Sequence, residues 1–374
     1  MKYKNIREIS HERCVGCTAC VNACPKHCIK MTVDQEGFAY PVINMEQCVN
    51  CGICYRSCPT ISVKRQKTYT RVLGMINRSK KIRKDSSSGG VFYSLAQFVL
   101  QSGGVVCGAT LDEKMLVKHI IIQKNDQIDK LTRSKYVQSD LTNCYSMIQK
   151  LLAHDTKVLF VGTPCQVYGL HTFLNEEYEN LFAVDLICHG VPSPQIWYEF
   201  VKYIEKERDA KCHDISFRDK TLEGWKNFGM KIEFSDGSEY IDTQKQNSFM
   251  FGFLKGFIDR RCCYECQFKG LNRCSDLTIG DFWSVDHYVE HFNDNMGTSI
   301  VYVNTSRGQR LIKGVRDKFY IKKIEEEKFW TLNRAYGQST LDIKNREKFF
   351  KKYLRNNKAV DILITEMRRC NNYE

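Results

Sequence analysis

The 374-residue chain has no apolar run long enough to cross a bilayer. Its longest, residues 91–100, is broken by Ser94 and Gln97 and falls short of the roughly 20 residues a spanning helix needs. Residues 1–9 carry no apolar core and no small-residue cleavage site, so no signal peptide is expected, and the cytoplasm is the expected compartment. Heptad repeats are missing, which excludes a coiled coil. Acidic residues are the minority, 43 Asp and Glu against 56 Lys and Arg, a formal net charge of +13. No motif that reads DNA or RNA accompanies this balance, so nucleic acid is not an expected partner. A basic surface that docks an acidic redox partner or an acidic substrate is the expected reading.

Cysteine is what the chain has in quantity, 19 residues, nine of them before residue 59. With 43% hydrophobic residues a chain of this length buries its core without disulfide staples. The spacings are those of metal ligands, and thiolate ligands need a reducing compartment. Cys14-x-x-Cys17-x-x-Cys20-x-x-x-Cys24-Pro25 recurs as Cys48-x-x-Cys51-x-x-Cys54-x-x-x-Cys58-Pro59. A zinc site takes four ligands, usually as two C-x-x-C pairs. A third cysteine in register followed by Cys-Pro favours a 4Fe-4S cube. In two-cluster ferredoxins the cysteine before proline serves the other cluster. One cluster is therefore expected on Cys14, Cys17, Cys20 and Cys58, and a second on Cys48, Cys51, Cys54 and Cys24. Cys28 has no counterpart in the second repeat, where Ser62 stands, and reads as a spare buried thiol. Residues 38–42, between the loops, read as a short strand pair.

After a polar linker at residues 64–67, apolar strands are expected at residues 72–76, 105–108, 117–122, 157–161, 181–187 and 299–304, and helices at 91–101, 308–318 and 344–356. Residues 85–90, Asp-Ser-Ser-Ser-Gly-Gly, read as a helix cap whose free N–H groups favour an anion such as a cofactor phosphate. Residues 134–139, Ser-Lys-Tyr-Val-Gln-Ser, read either as a flavin-holding segment or as an exposed strand. Two successive strands run into cysteines, Gly162-Thr163-Pro164-Cys165-Gln166 and Cys188-His189-Gly190, on what would be one edge of a parallel sheet. Cys262, Cys263, Cys266 and Cys274 follow. His189 reads as a hydrogen-bond donor or proton relay, or as a structural histidine. Asp281 reads as a turn residue before two core aromatics, or as a residue that orients the flavin or protonates substrate. Phe349, Phe350 and Tyr353 read as packing residues, Cys107, Cys144, Cys212 and Cys370 as buried thiols, and residues 368–370 as an exposed tail.

Taken together and in order, SSSGG, SKYVQS, GTPCQ, CHGVPSP, the FR-x-K of residues 217–220, the C-x-x-C and GDFW resemble the beta subunit of coenzyme F420 hydrogenase/dehydrogenase, in the bacterial form with a fused N-terminal two-cluster ferredoxin domain. That resemblance implies FAD and a third 4Fe-4S cluster, with Cys165, Cys188, Cys263 and Cys266 as ligands and Cys262 and Cys274 as competitors. It also implies that Ser87, Ser88, Gly89, Lys135 and Tyr136 contact the flavin. The expected fold is α+β, a bacterial-type ferredoxin domain at residues 1–62 followed by a larger mixed α/β domain. A linker and first strand at 63–84 lead into its two parts, 85–165 and 166–340, and a basic helical tail occupies 341–374.

The function implied is an iron–sulfur flavoprotein oxidoreductase. It would pass electrons from a small redox protein or partner oxidoreductase subunit through the clusters to FAD, and on to an organic substrate or deazaflavin. The fused bacterial relatives point to polysaccharide biosynthesis. The alternative is a non-catalytic electron-transfer subunit of a larger redox complex. No catalytic acid or base is singled out.

Overall fold

The computed structural model describes residues 4–61, 71–270, 273–325, 332–337, 339, 341–356 and 358–370. Ser62, the linker at 64–67 and the side chain of Cys370 lie outside the described residues.

The N-terminal module is built from two copies of one turn. Short helices Ala19–Asn22 and Ile53–Arg56 follow left-handed residues at matching places, Thr18 (φ 61°) and Gly52 (φ 72°). Gly16 (φ 67°) and Asn50 (φ 53°) repeat the pattern two residues earlier. Alternating hands of this kind turn successive N–H groups inward, which suits a bound anion. Between the copies, strand β1 (Ile29–Val33) pairs antiparallel with β2 (Ala39–Ile43), Ile29 opposite Ile43. Residues 38–42 thus supply one strand of a pair rather than both. The hairpin loop is held by Asp34, whose Oδ1 accepts the Glu36 and Phe38 N–H groups at 3.0 and 2.9 Å.

The larger domain is organised on an eight-stranded mixed sheet. Its strands are β3 (Arg71–Asn77), β4 (Val105–Leu111), β5 (Val117–Ile122), β6 (Val158–Gly162), β7 (Leu181–Leu186), β11 (Leu277–Asp281), β12 (Ser299–Val303) and β13 (Phe319–Lys323), in the order β13-β3-β12-β11-β7-β6-β4-β5. The central four, β4, β6, β7 and β11, are parallel to one another. Both faces of this centre are covered, so its strands read as near-continuous apolar runs. Alternation still divides them. Leu159 and Val161 pack toward helices Val91–Gln101 and Ser306–Val315. Val158 and Phe160 pack toward helices Cys144–Ala153 and Pro164–Leu174. Val15, Cys17 and Ala19 of the N-terminal module join this second core, so the module is docked on that face. Gly169 makes the approach possible, because a Cβ there would stand 3.0 Å from Cys17 Sγ.

A second sheet, antiparallel and three-stranded, was not expected. Strands β8 (Cys212–Asp219), β9 (Gly229–Phe234) and β10 (Glu239–Thr243) lie in the order β10-β9-β8. Its apolar face packs with helices Pro194–Arg208, Ser248–Leu254 and Ile343–Tyr353, where Phe349 and Phe350 are buried as packing residues. The C-terminal segment is helical and also packs against this core. Val360, Leu363, Ile364 and Met367 recur at helical spacing and are buried on helix Val360–Cys370, and Arg368 lies 4.5 Å over the Phe251 ring. Residues 134–139 form an irregular segment rather than a strand. No helix among the described residues is long and apolar enough to cross a membrane.

Candidate iron–sulfur and cofactor site

Two small cavities lie within the N-terminal module. The first is lined by Cys14, Cys17, Cys20 and Cys58, with Ile6, Met31 and Pro41 among its apolar walls. The second is lined by Cys24, Cys48, Cys51 and Cys54, with Ile29 and Ile43. Each cavity therefore takes three sulfurs from one loop and one from the other. Cys28 also reaches the second, its Sγ 3.5 Å from Cys24 Sγ, and burial together with that contact pushes its thiol up to about 11. Burial pushes the Cys17, Cys20 and Cys58 thiols up, and their like-charged neighbours push further. Four thiolates so enclosed are stable only around a cationic core, which is the chemistry an iron cluster supplies.

Cys165, Cys188, Cys263 and Cys266 also come together. Thr163 and Gln166 form a capping box that starts helix Pro164–Leu174, so Cys165 stands in the first turn. Its Sγ is 3.1 Å from Thr163 Oγ1. Cys188 follows β7 by two residues, and Cys263 ends a single 3-10 turn, Arg261–Cys263. Burial and then the other cysteines of the set oppose ionisation of Cys165, Cys188 and Cys266. Cys263 is held up first by its hydrogen bond with Cys262, then by burial. This donor set also fits a four-iron cluster. Of the competitors, Cys262 partners Cys263, while the charges nearest Cys274 are Asp185, Arg273 and Asp276.

A cavity of about 250 Å³ opens at the carboxyl ends of β6, β7 and β11, where parallel sheets place their ligands. Ser87, Ser88, Lys135 and Tyr136 line it, and so does Cys188. Ser87 Oγ accepts the Ser134 N–H at 2.7 Å, which ties together the two segments expected at a flavin. Gly89 does not line the cavity. A Cβ on it would stand 2.3 Å from the Met75 carbonyl, so it serves the close packing of β3 and β12, and Gly90 takes the place at the cavity wall. Of the hydroxyl and glycine residues expected to cap the next helix, a glycine does so. Gly90 (φ 82°) is the N-cap of helix Val91–Gln101 and no side chain caps it, so the first amides are left toward the cavity. That arrangement accepts phosphate. Half-buried Lys135 donates to the Thr132 carbonyl at 2.5 Å, and burial beside Arg133 pushes its pKa down to about 7. An uncapped helix start, the Lys135 amine and the Tyr136 and Phe253 rings fit an aromatic, phosphate-bearing cofactor, while the Arg133 guanidinium is ion-paired with Asp214 at 2.7 Å.

Three of the recognised motifs meet at one end of this cavity. Asp281 ends β11 and is ion-paired with Arg218 of β8, while Trp225 Nε1 donates to its Oδ1 at 2.8 Å. It is therefore an ion-pair partner and not a turn former, and Trp283 after it is 37% exposed rather than core. Burial works against the Arg218 charge, but Asp281 and Tyr136 outweigh it and hold it positive. Burial also raises the Tyr136 phenol, which hydrogen-bonds with Arg218 and stays neutral. Lys220 donates to the carbonyls of Arg83 and Met296 at 2.7 and 2.8 Å and lines an adjoining cavity. His119, Gln166 and Phe253 at the first cavity were missed. The only signal for His119 was a histidine within an apolar strand. It is buried, its Nε2 is 3.1 Å from the Val161 carbonyl, and burial pushes its pKa to about 4. His189 also lines the cavity and is pushed to about 4 by burial and Lys269.

Residues 155–328 match the family model for the C terminus of the coenzyme F420 hydrogenase/dehydrogenase beta subunit, and residues 13–61 match a 4Fe-4S dicluster domain. No curated protein matches the chain. Among solved structures it is similar to a chain of the F420-reducing NiFe hydrogenase complex from Methanosarcina barkeri. The two share 18% identity over 78% of this chain and 94% of that one, with a TM-score of 0.49.

Proposed function

Because the chain joins a 4Fe-4S dicluster domain to the C-terminal domain of the coenzyme F420 hydrogenase/dehydrogenase beta-subunit family, we propose that it is an iron–sulfur flavin-dependent oxidoreductase acting on an organic substrate or deazaflavin. Iron–sulfur clusters supply one-electron transfer, and a flavin joins one-electron to two-electron chemistry. The positions of the cysteines support an order for these sites. The Cys24, Cys48, Cys51 and Cys54 set lies beside Val49, which is 58% exposed and would face a redox partner. The Cys14, Cys17, Cys20 and Cys58 set faces the larger domain through Cys17 and Gly169. Cys165, on the same helix as Gly169, begins the third set.

The observation that carries the proposal is Cys188, which belongs to the third cysteine set and lines the 250 Å³ cavity. An electron acceptor bound in that cavity touches the donor set directly. The uncapped start of helix Val91–Gln101, with Lys135, would hold the cofactor phosphates, and Tyr136 and Phe253 would face its ring system. The Tyr136 phenol, kept neutral by burial, lines the cavity. Anaerobic purification with an iron, sulfide and flavin count tests this reading. About twelve irons, four per cube, and one flavin per chain are expected. Full iron without flavin would leave a non-catalytic electron-transfer subunit, and about eight irons would remove the third cluster.

A further inference from the structure

Arg260 is fully buried where the N-terminal module meets the larger domain. Its Nε donates to the Cys14 carbonyl at 2.8 Å, and Nη1 donates to Gln138 Oε1 at 2.9 Å. Nη2 donates to the Ala39 carbonyl at 3.0 Å and stands 3.7 Å from Cys14 Sγ. The guanidinium lies 4.2 Å over the Tyr40 ring. On its own backbone, the N–H donates to the Val191 carbonyl and the carbonyl accepts the Cys263 N–H, both at 2.9 Å. One residue thus grips Cys14 with its side chain and Cys263 with its main chain. The sequence makes room for it, since a Cβ on Gly16 would stand 3.0 Å from Nη1 and 2.4 Å from Gln138 Nε2.

The partners of this cation are carbonyls, an amide and a sulfur. Among the described residues no carboxylate lies within ion-pair distance of it. A buried guanidinium without a carboxylate needs some other anion nearby. Cys14 Sγ is the atom that can supply it, as a thiolate bound to a cluster of net negative charge. Net charge and hydrogen bonds to sulfur are among the protein's levers on a cluster's potential. A nearby cation and an N–H aimed at sulfur both favour the more negative, reduced state.

We propose that Arg260 is a positioning residue that raises the reduction potential of the cluster held by Cys14 and fixes that cluster against the Cys263 set. The inference rests on the two-cluster reading of the N-terminal module. It gives the relay a direction. An upward shift at the inner cluster favours a single electron settling next to the larger domain.

The test is an EPR-monitored redox titration of the full-length holoprotein, wild type against Arg260→Gln and Arg260→Lys, with iron counted in each. In Arg260→Gln at full iron, one cluster midpoint falls by at least tenfold in its equilibrium constant, about 59 mV for a one-electron couple, while the others hold. Arg260→Lys keeps the cation and falls less. Loss of a single cluster from Arg260→Gln, with the remaining signals unchanged, also supports the local role. Full iron with no shifted midpoint, equal shifts in both variants, or loss of both clusters of the module overturns it. Wild-type protein without the iron of two ferredoxin-type clusters would instead overturn the two-cluster reading itself.

Discussion

Arg218 and Asp281 form an ion pair 63 positions apart in sequence, with the Arg218 side chain 2% exposed. Asp281 also takes the Trp225 indole N–H, and Arg218 lies over the Phe228 and Trp283 rings at 4.2 and 5.0 Å. The pair pins β8 of the small sheet to the carboxyl end of β11 in the large one. Asp281→Asn leaves the guanidinium buried without its counter-charge and is expected to destabilise the fold by about 3 kcal/mol. Adding Arg218→Met removes the unpaired charge, so the double variant recovers part of that loss. Denaturant unfolding of the two single variants and the double one measures the coupling, and strictly additive losses contradict it.

The cysteine loops exchange ligands, since Cys58 shares a cavity with Cys14 and Cys24 shares one with Cys48. Cys58→Ser and Cys24→Ser are each expected to lower iron by about four per chain. They should leave different EPR signals behind, because each removes a different cluster. Identical residual spectra would contradict the exchange.

Lys220 titrates against burial and the nearby Arg218, which push its pKa to about 7. Unfolded, a lysine titrates near 10.4. Between those values the unfolded chain holds a proton that the folded chain does not, so the stability contributed at this site rises with pH. Wild type should therefore gain stability relative to Lys220→Met as pH climbs from about 7 to about 10, with a flat difference below 7. Melting temperatures across that range check the slope, and a difference that falls with pH contradicts the assignment.

How much of this was legible depended on how far apart the cooperating residues lie. The cluster cysteines repeat within single turns, so their spacing alone exposed the iron chemistry. Cys165 and Cys188 follow buried strands, and apolar runs such as residues 158–161 mark those strands plainly. The Arg218–Asp281 pair was not legible, because neither residue's neighbours announce a partner on another sheet. Arg260 was overlooked for the same reason, since its meaning lies at Cys14, 246 positions away. Two misses had a local signal. Ile215 and Phe217, then Met230, Ile232 and Phe234, alternate as half-buried strands do, and Val360, Leu363, Ile364 and Met367 follow a helix. Gly89 carried no such signal, because only the three-dimensional approach of Met75 and Ser299 shows what its missing side chain is for.

The central claim is that electrons reach the 250 Å³ cavity through the cysteine set that includes Cys188. Cys266 belongs to that set but does not line the cavity, so Cys266→Ser should leave cofactor binding intact while removing about four irons. The decisive measurement is anaerobic stopped-flow mixing of this variant and wild type with a reduced small ferredoxin, following cluster and flavin absorbance separately. In wild type both are expected to change, the clusters first. In Cys266→Ser the N-terminal clusters should still be reduced while flavin reduction slows by at least a hundredfold. Flavin reduction at the wild-type rate in a variant that has lost those irons would contradict the account.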